Sequence, residues 1–168
     1  AFGAEFGFLA ADRRHRLVEL HTSAGALQEL VLIREYRQGS NAVECPRLSA
    51  EQLAGCWQGE AATITADWPE PERRPCRITI RSSGQQGLEL HSDGAPDPAR
   101  EAFSAGTHRL NWLADGGYSL SPLQVSHRQS FCVEAGWLSA PDRLERLVRC
   151  FDDSGAWLAS TQMLLERC

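Results

Sequence analysis

The chain has 168 residues and a net charge of −5 at pH 7, with 42% hydrophobic and 23% charged residues. This is ordinary globular composition and excludes wholesale disorder and coiled coil. The acidic balance, with pI near 5.5, argues against a nucleic-acid groove. No apolar run reaches the roughly 18–20 residues that a membrane-spanning helix needs.

Taken in chain order, the opening predicts three antiparallel strands over about 2–9, 13–21 and 26–35. Gln38-Gly39-Ser40-Asn41 then begins a linker that runs through Cys45-Pro46-Arg47. Ser49-Ala50-Glu51-Gln52 has the form of a capping box, with Ser49 as N-cap and Gln52 at the third helical position, and predicts one helical turn. Strands follow at about 56–66, 75–82, 86–91, 107–113, 116–121, 130–138, 143–151 and 156–166. Gly, Pro and Asp punctuate them at short intervals; the clearest loop signals are Ser139-Ala140-Pro141-Asp142 and Asp152-Asp153-Ser154-Gly155. The pattern predicts an all-β fold: an antiparallel up-and-down barrel of eight strands, preceded by three strands of a related, incomplete unit. Closing eight strands removes edges that would otherwise invite pairing with other chains.

That relatedness is visible as an internal repeat between residues 1–26 and 130–156. Allowing one insertion at Pro141, Phe2 matches Phe131, Glu5 matches Glu134, Gly7 matches Gly136 and Leu9 matches Leu138. Arg16-Leu17-Val18 matches Arg146-Leu147-Val148, and Gly25-Ala26 matches Gly155-Ala156. The second copy follows a run of strands, whereas the first begins the chain, and the first residue is Ala1 rather than Met. Two readings stay open: residues 1–36 close a first barrel of which only the end is present, or they form an N-terminal extension that packs on the second unit. The expected division is 1–36, a linker and helical turn over 37–52, and a complete barrel over 53–168. Six cysteines (Cys45, Cys56, Cys76, Cys132, Cys150, Cys168) are widely and irregularly spaced, and the expectation is free thiols in a reducing compartment. No Cys or His pair has zinc-ligand spacing.

Gly55-Cys56-Trp57 opens the first long strand of the second unit, just after the helical turn. Such a GxW resembles the opening of lipocalin-like (calycin) barrels, in which the Trp plugs the closed end and an Arg near the last strand stacks on it. Arg167 or Arg149 could supply that cation–π partner. The stretch Leu53 to Asp67, the run Phe131 to Leu138, and Arg146-Leu147-Val148-Arg149 followed by Gly155-Ala156-Trp157 together resemble a lipocalin-like family of unknown function from cyanobacteria and chloroplasts. That family lies near the S-type bilin lyases. The resemblance implies a calycin barrel in an oxygenic phototroph, in the cyanobacterial cytoplasm, at the thylakoid surface or in the chloroplast stroma. It transfers no active site.

No catalytic motif stands out. The candidate ligand-binding residues are Trp57, Trp112 and Trp137, as inward-capable aromatics, together with Glu134 and Arg146. In a hairpin centred on Ala140, Glu134 and Arg146 fall directly opposite one another, and the first copy mirrors them in Glu5 and Arg16. The pair reads either as a cross-strand salt bridge or as a contact for a ligand carboxylate such as a propionate or fatty acid. If instead the apolar row Phe131, Val133, Ala135, Trp137 points inward, Glu134 and Arg146 lie outside. His15, His21, His91, His108 and His127 are scattered and read as solvated or hydrogen-bonding side chains. Asp93, Asp97 and Glu101 fall in a Gly/Pro-rich loop without calcium-loop spacing. Asp67 to Pro75 reads as a Pro-rich connection with an exposed Trp68, and Arg73, Arg74, Arg77 and Arg81 as a basic strand rim.

Three functions are consistent with these residues. The first is a binding module for one hydrophobic or amphiphilic molecule, a tetrapyrrole, carotenoid or lipid. The second, an enzyme, is a bilin chromophore lyase, suggested by fold-level resemblance alone. The third is a non-catalytic accessory or interaction subunit of a photosynthetic complex.

Overall fold

The computed structural model describes residues 1–83, 87–93, 107–126 and 128–168. Eleven strands and one short helix follow in order: β1 (Phe2–Ala10), β2 (Arg13–His21), β3 (Leu27–Tyr36), α1 (Ala50–Leu53), β4 (Gly55–Thr65), β5 (Glu72–Ser83), β6 (Gly87–Asp93), β7 (His108–Trp112), β8 (Gly117–Pro122), β9 (Phe131–Ala140), β10 (Arg143–Phe151) and β11 (Trp157–Arg167). They form a three-stranded sheet, β1-β2-β3, and an eight-stranded antiparallel sheet in the order β6-β5-β4-β11-β10-β9-β8-β7. The expected all-β class, strand count and meander are therefore present. The larger sheet is a curled half-barrel. Among the described residues no ladder joins β6 to β7, so the closure expected there is not made by backbone pairing.

The strands β1, β2 and β10 obey the period-2 rule in their burial. Along β1, Ala4, Phe6 and Phe8 are buried while Gly3, Glu5, Gly7 and Leu9 are exposed. β9 is different: its residues Cys132 to Leu138 are buried on both faces. One face looks into the curl, with Trp57, Ile78, Ile80, Leu88, Tyr118, Leu138, Leu144 and Leu165 as the inner core. The other presents Val133, Ala135 and Trp137 to Ala4, Phe6, Phe8 and Leu17 of the small sheet. The small sheet thus lies on the outside of the curled one.

The base of the curl follows the sequence reading closely. Ser49 caps α1, and its backbone N–H donates to the Gln52 side-chain carbonyl at 2.9 Å. Trp57 is fully buried, and its indole N–H donates to the Leu53 carbonyl at 2.8 Å. Arg167 is the stacking partner, its guanidinium 4.3 Å from the Trp57 ring, and it also donates to the carbonyls of Gln52, Ala54 and Pro141. Arg149, the other candidate, covers Phe6 instead, at 5.4 Å.

Three expectations need correction. The β9–β10 register sets Glu134 against Val148 and Arg146 against Gly136, with a bulge between Arg143 and Leu144. The hairpin thus centres near Pro141, and Glu134 and Arg146 are diagonal neighbours rather than opposite ones. The cysteines are not all free. Cys132 bonds Cys150, directly opposite it across β9–β10 with Cα atoms 4.2 Å apart, and Cys56 bonds Cys168, leaving Cys45 and Cys76 as thiols. A compartment rule cannot see that a separation of 18 residues closes into one ladder rung. Finally, β5 begins at Glu72, so Pro75 sits inside a strand. Among the described residues the β6 ladder begins at Arg77, so Pro75 meets no described strand on that side. Trp68 is exposed, as expected.

Candidate functional site

The interior of the curl holds a buried polar group in an apolar wall. Tyr118 on β8, Glu134 on β9 and Arg146 on β10 come together because those strands are neighbours and all three positions face inward. The Arg146 guanidinium grips the Glu134 carboxylate with two bonds, Nε to Oε1 at 2.8 Å and Nη2 to Oε2 at 2.9 Å. The Tyr118 hydroxyl donates to Glu134 Oε1 at 2.5 Å. The side chains of Arg146 and Glu134 are 1% and 3% exposed, so the pair is shielded from solvent. Burial, and then the negative charge of Glu134, push the Tyr118 phenol well above its usual pKa, which keeps it a neutral donor.

Gly136 makes this arrangement possible. It pairs with Arg146 on one side and Tyr118 on the other. A Cβ on Gly136 would lie 2.0 Å from Tyr118 Cε1, so only glycine lets the ring lie across the strand.

The group opens onto a cavity of about 560 Å³. Leu53 and Ile80 line its base, Leu88 and Leu90 of β6 and Leu110 of β7 form the side walls, and Glu89 and His91 are its other polar lining residues. Its wall is mostly apolar, with a few convergent polar groups. Of the expected ligand-binding residues, Glu134 and Arg146 line the cavity. Trp57 lies beneath it as the base of the core, and Trp112 packs against the same core from β7. Trp137 is on the opposite face of β9, sealed between the sheets. The inward-row alternative is thus resolved: Glu134 and Arg146 face the cavity, and the aromatic row faces the small sheet.

Two further polar clusters lie between the sheets, and the sequence reading did not single them out. Asp115 and Gly116 both have positive φ, 51° and 73°, and make the tight turn between β7 and β8. The buried Asp115 carboxylate accepts from Arg13 at 3.0 Å, from the Cys45 backbone N–H at 2.5 Å and from His15 Nε2 at 2.6 Å. Burial raises the Asp115 pKa, but the Cys45 N–H, His15 and Arg13 outweigh it and hold the carboxyl below its ordinary range. His15 also stacks on Trp137, with ring centroids 4.1 Å apart. One side chain thereby clamps β2, the linker and the β7–β8 turn.

At the other end of β2, Glu19 is fully buried and accepts from Ser121 at 2.7 Å. Its Oε1 has no hydrogen bond among the described residues, and neither has His21 Nδ1. His21 Nε2 donates to the Pro122 carbonyl at 3.0 Å. Burial pushes the Glu19 carboxyl up to about 7, and burial lowers the His21 imidazole. His108, also buried, donates to the Cys132 carbonyl at 2.7 Å, and His91 is exposed. The visible signal for the Asp115 clamp was the Asp-Gly pair; for Glu19 there was none. Asp97, Glu101 and His127 lie outside the described residues.

Residues 44–168 match the family described as biogenesis factor required for ATP synthase 1, C-terminal domain. Residues 1–40 match the N-terminal domain of DUF3598, a domain of unknown function. A crystal structure of a DUF3598 protein of unknown function from Nostoc punctiforme superposes with a TM-score of 0.81 at 30% identity, over 99% of this chain and 66% of that one. The chain thus spans about two thirds of that relative's length. The S-type phycobiliprotein lyase from Guillardia theta is more distant, with a TM-score of 0.43 at 14% identity over 71% of this chain and 90% of that one. The resemblance to a family of unknown function stated from the sequence is borne out by the two DUF3598 matches. No curated protein matches the chain. No helix among the described residues is long and apolar enough to cross a membrane.

Proposed function

Since this chain belongs to the family of the C-terminal domain of biogenesis factor required for ATP synthase 1, we propose that its eight-stranded sheet is a lipocalin-like module that binds one hydrophobic or amphiphilic small molecule. A tetrapyrrole, carotenoid or lipid of an oxygenic phototroph fits that description. In this reading residues 1–36 are the closing strands of a related unit, 37–52 a linker with a helical turn, and 53–168 the binding barrel. The protein works in the cyanobacterial cytoplasm, at the thylakoid surface or in the chloroplast stroma.

The observation that carries the reading is the apolar cavity with Tyr118, Glu134 and Arg146 buried in its wall. Apolar walls supply affinity by removing ligand surface from water, at roughly 25 cal/mol per Å². The polar group supplies orientation. Because Glu134 neutralises Arg146, the site presents a charge-balanced pair rather than a naked cation, so it suits a ligand with both hydrogen-bond donors and acceptors.

Titrating the protein with a bilin, haem, a retinoid and a fatty acid tests this, read by induced absorbance and tryptophan quenching. The expected result is saturable one-to-one binding of one class. Leu110→Trp, which fills the cavity without touching the ion pair, abolishes it. Silence with every probe overturns the reading.

A second reading, a non-catalytic accessory factor in assembling a photosynthetic complex or ATP synthase, draws on the family's description. Co-purification with ATP synthase subunits from a phototroph extract, undiminished in Leu110→Trp, separates it from the first.

A further inference from the structure

Cys132 and Cys150 share one rung of the curl's inner wall. Cys132 lies two residues from Glu134 on β9, and Cys150 two residues from Val148 on β10, so alternation turns both side chains inward, where they form a disulfide. The hairpin itself does not call for that bond. The first copy of the repeat builds the matching rung from Gly3 and Leu20, which stand opposite each other. There Leu20 fills the space over the glycine, its Cδ2 3.3 Å from where a Gly3 Cβ would lie. The β1–β2 hairpin pairs over nine positions without a crosslink, as many as β9 and β10 pair with one. The crosslink is an addition to the hairpin, not a condition of it.

What the bond touches is the packing around the ligand cavity. Cys132 is buried with Leu120 and Val148, and Leu110 and Cys150 pack against them. Leu110 and Leu120 also line the cavity of about 560 Å³, whereas Cys132 and Cys150 line a second one of about 920 Å³. One small cluster thus has a side on each cavity, with the sulfurs on the second. Cys150 is half-buried and Cys132 is 7% exposed, so a thiolate arriving through the second cavity meets the Cys150 sulfur first. The described β8–β9 ladder ends at Leu120 and Glu134, and beyond it the Cys132 carbonyl accepts from His108 Nε2 at 2.7 Å. On the next rung the rings of Phe131 and Phe151 stack at 5.1 Å. These contacts hold the two cysteines opposite each other whether or not their sulfurs are joined, so an opened bond can re-form.

We propose that Cys132 and Cys150 are a reversible redox site, opened by a dithiol reductant, whose state sets the packing of Leu110, Leu120 and Val148 beside the ligand cavity. The reductant's first thiolate attacks Cys150 Sγ, and the bond to Cys132 breaks with Cys132 leaving as thiolate. The reductant's second thiol then displaces Cys150 and closes the reductant's own disulfide. Two electrons and two protons pass from the dithiol to the protein, which ends with two thiols. Unbonded, the sulfurs pack as separate atoms and take more room, so the cluster loosens. The redox step needs no ligand; its effect on affinity rests on the binding proposed above.

The test incubates the intact chain in mixtures of reduced and oxidised dithiothreitol, traps thiols by alkylation and locates them by peptide mass spectrometry. Cys132 and Cys150 should become alkylated together while the far-ultraviolet circular dichroism stays unchanged, and should be protected again when the mixture is made oxidising. Hydrogen exchange is the second readout: reduction should speed it several-fold over residues 108–112 and 117–121 and leave β2 and β3 unchanged. The double variant Cys132→Ala, Cys150→Ala should show the faster exchange in either mixture. Should it still respond to reductant, the response belongs to the Cys56–Cys168 bond and the proposal is overturned; the parent chain carries the test if that variant does not fold. Any probe that binds the oxidised chain should bind the reduced one several-fold more weakly, and equal affinity overturns the link to the cavity. Failure of every probe to bind defeats the binding reading alone, because alkylation and exchange are read without ligand. A bond that yields only when the fold is lost is structural only and overturns the proposal, as does reduction that leaves exchange on β7 and β8 unchanged.

Discussion

The same glutamate–arginine pair occurs twice in this molecule, in the same diagonal register, under opposite conditions. Glu134 and Arg146 are 3% and 1% exposed, joined by two short bonds and a tyrosine. Glu5 and Arg16 are 54% and 32% exposed, 3.5 Å apart, and Arg16 also reaches Glu35 at 3.2 Å. The glutamate, the arginine and the glycine opposite the arginine are the same in both copies, so the pair itself does not set the difference. The surrounding strands do: β8 and the curl of the large sheet cover one pair, whereas among the described residues no strand covers the other. In water the exposed pair gains little, whereas in the cavity wall each charge depends on its partner.

Substitution of the arginines breaks this comparison most sharply. Arg146→Met leaves Glu134 buried and uncompensated, and urea unfolding should show a loss of about 3–5 kcal/mol, most of it recovered in the double variant with Glu134→Leu. Arg16→Met should cost less than about 1 kcal/mol.

The second effect, in size, belongs to a position where the copies diverge. Glu19 in the first copy corresponds to Arg149 in the second. The Glu19 carboxyl sits at about 7 in the fold against an ordinary value of 4.5. Its contribution is therefore fully present below about pH 4.5 and is lost as the pH rises to about 7. At 1.36 kcal/mol per unit this comes to about 3 kcal/mol. The buried histidines act in the opposite sense: His15, His21 and His108 are lowered by burial, so their contribution is present above 6.5 and lost as the pH falls. Comparing the parent with Glu19→Gln isolates the carboxyl. The two stability curves should meet near pH 4.5, diverge up to about pH 7 and stay apart above it, the variant being the more stable.

Glycine substitutions give the next contrast. Gly136→Ala drives a methyl into the Tyr118 ring and should cost about 1–3 kcal/mol by thermal melting. Gly7→Ala meets open space and should be neutral or slightly stabilising. The smallest effect is expected for Glu5→Ala, within about 0.5 kcal/mol by urea unfolding.

How far the sequence was legible follows from which forces act locally. The strands, the capping box at Ser49 and Gln52 and the Trp57–Arg167 stack are encoded by period, turn residues and a short motif, and all are present. The repeat disclosed the Glu134–Arg146 pair before its surroundings were known. Its exact register was hidden, because a bulge after Arg143 costs nothing visible in composition. The side of β9 that carries Trp137 was ambiguous for a physical reason: both faces of that strand are buried, so alternation of polarity carries little information. The disulfides and the Glu19 cluster depend on contacts between residues far apart in the chain, which no local pattern reports.

The bond between Cys56 and Cys168 joins the start of β4 to the residue just past β11. All eight strands of the curled sheet therefore lie within one covalent ring. A tug arriving through Cys168 is carried straight to Cys56, so β11 cannot be peeled from its neighbours as a loose end. A motor that feeds polypeptide in single file through a narrow pore must first have that link reduced, or else must accept two chains abreast.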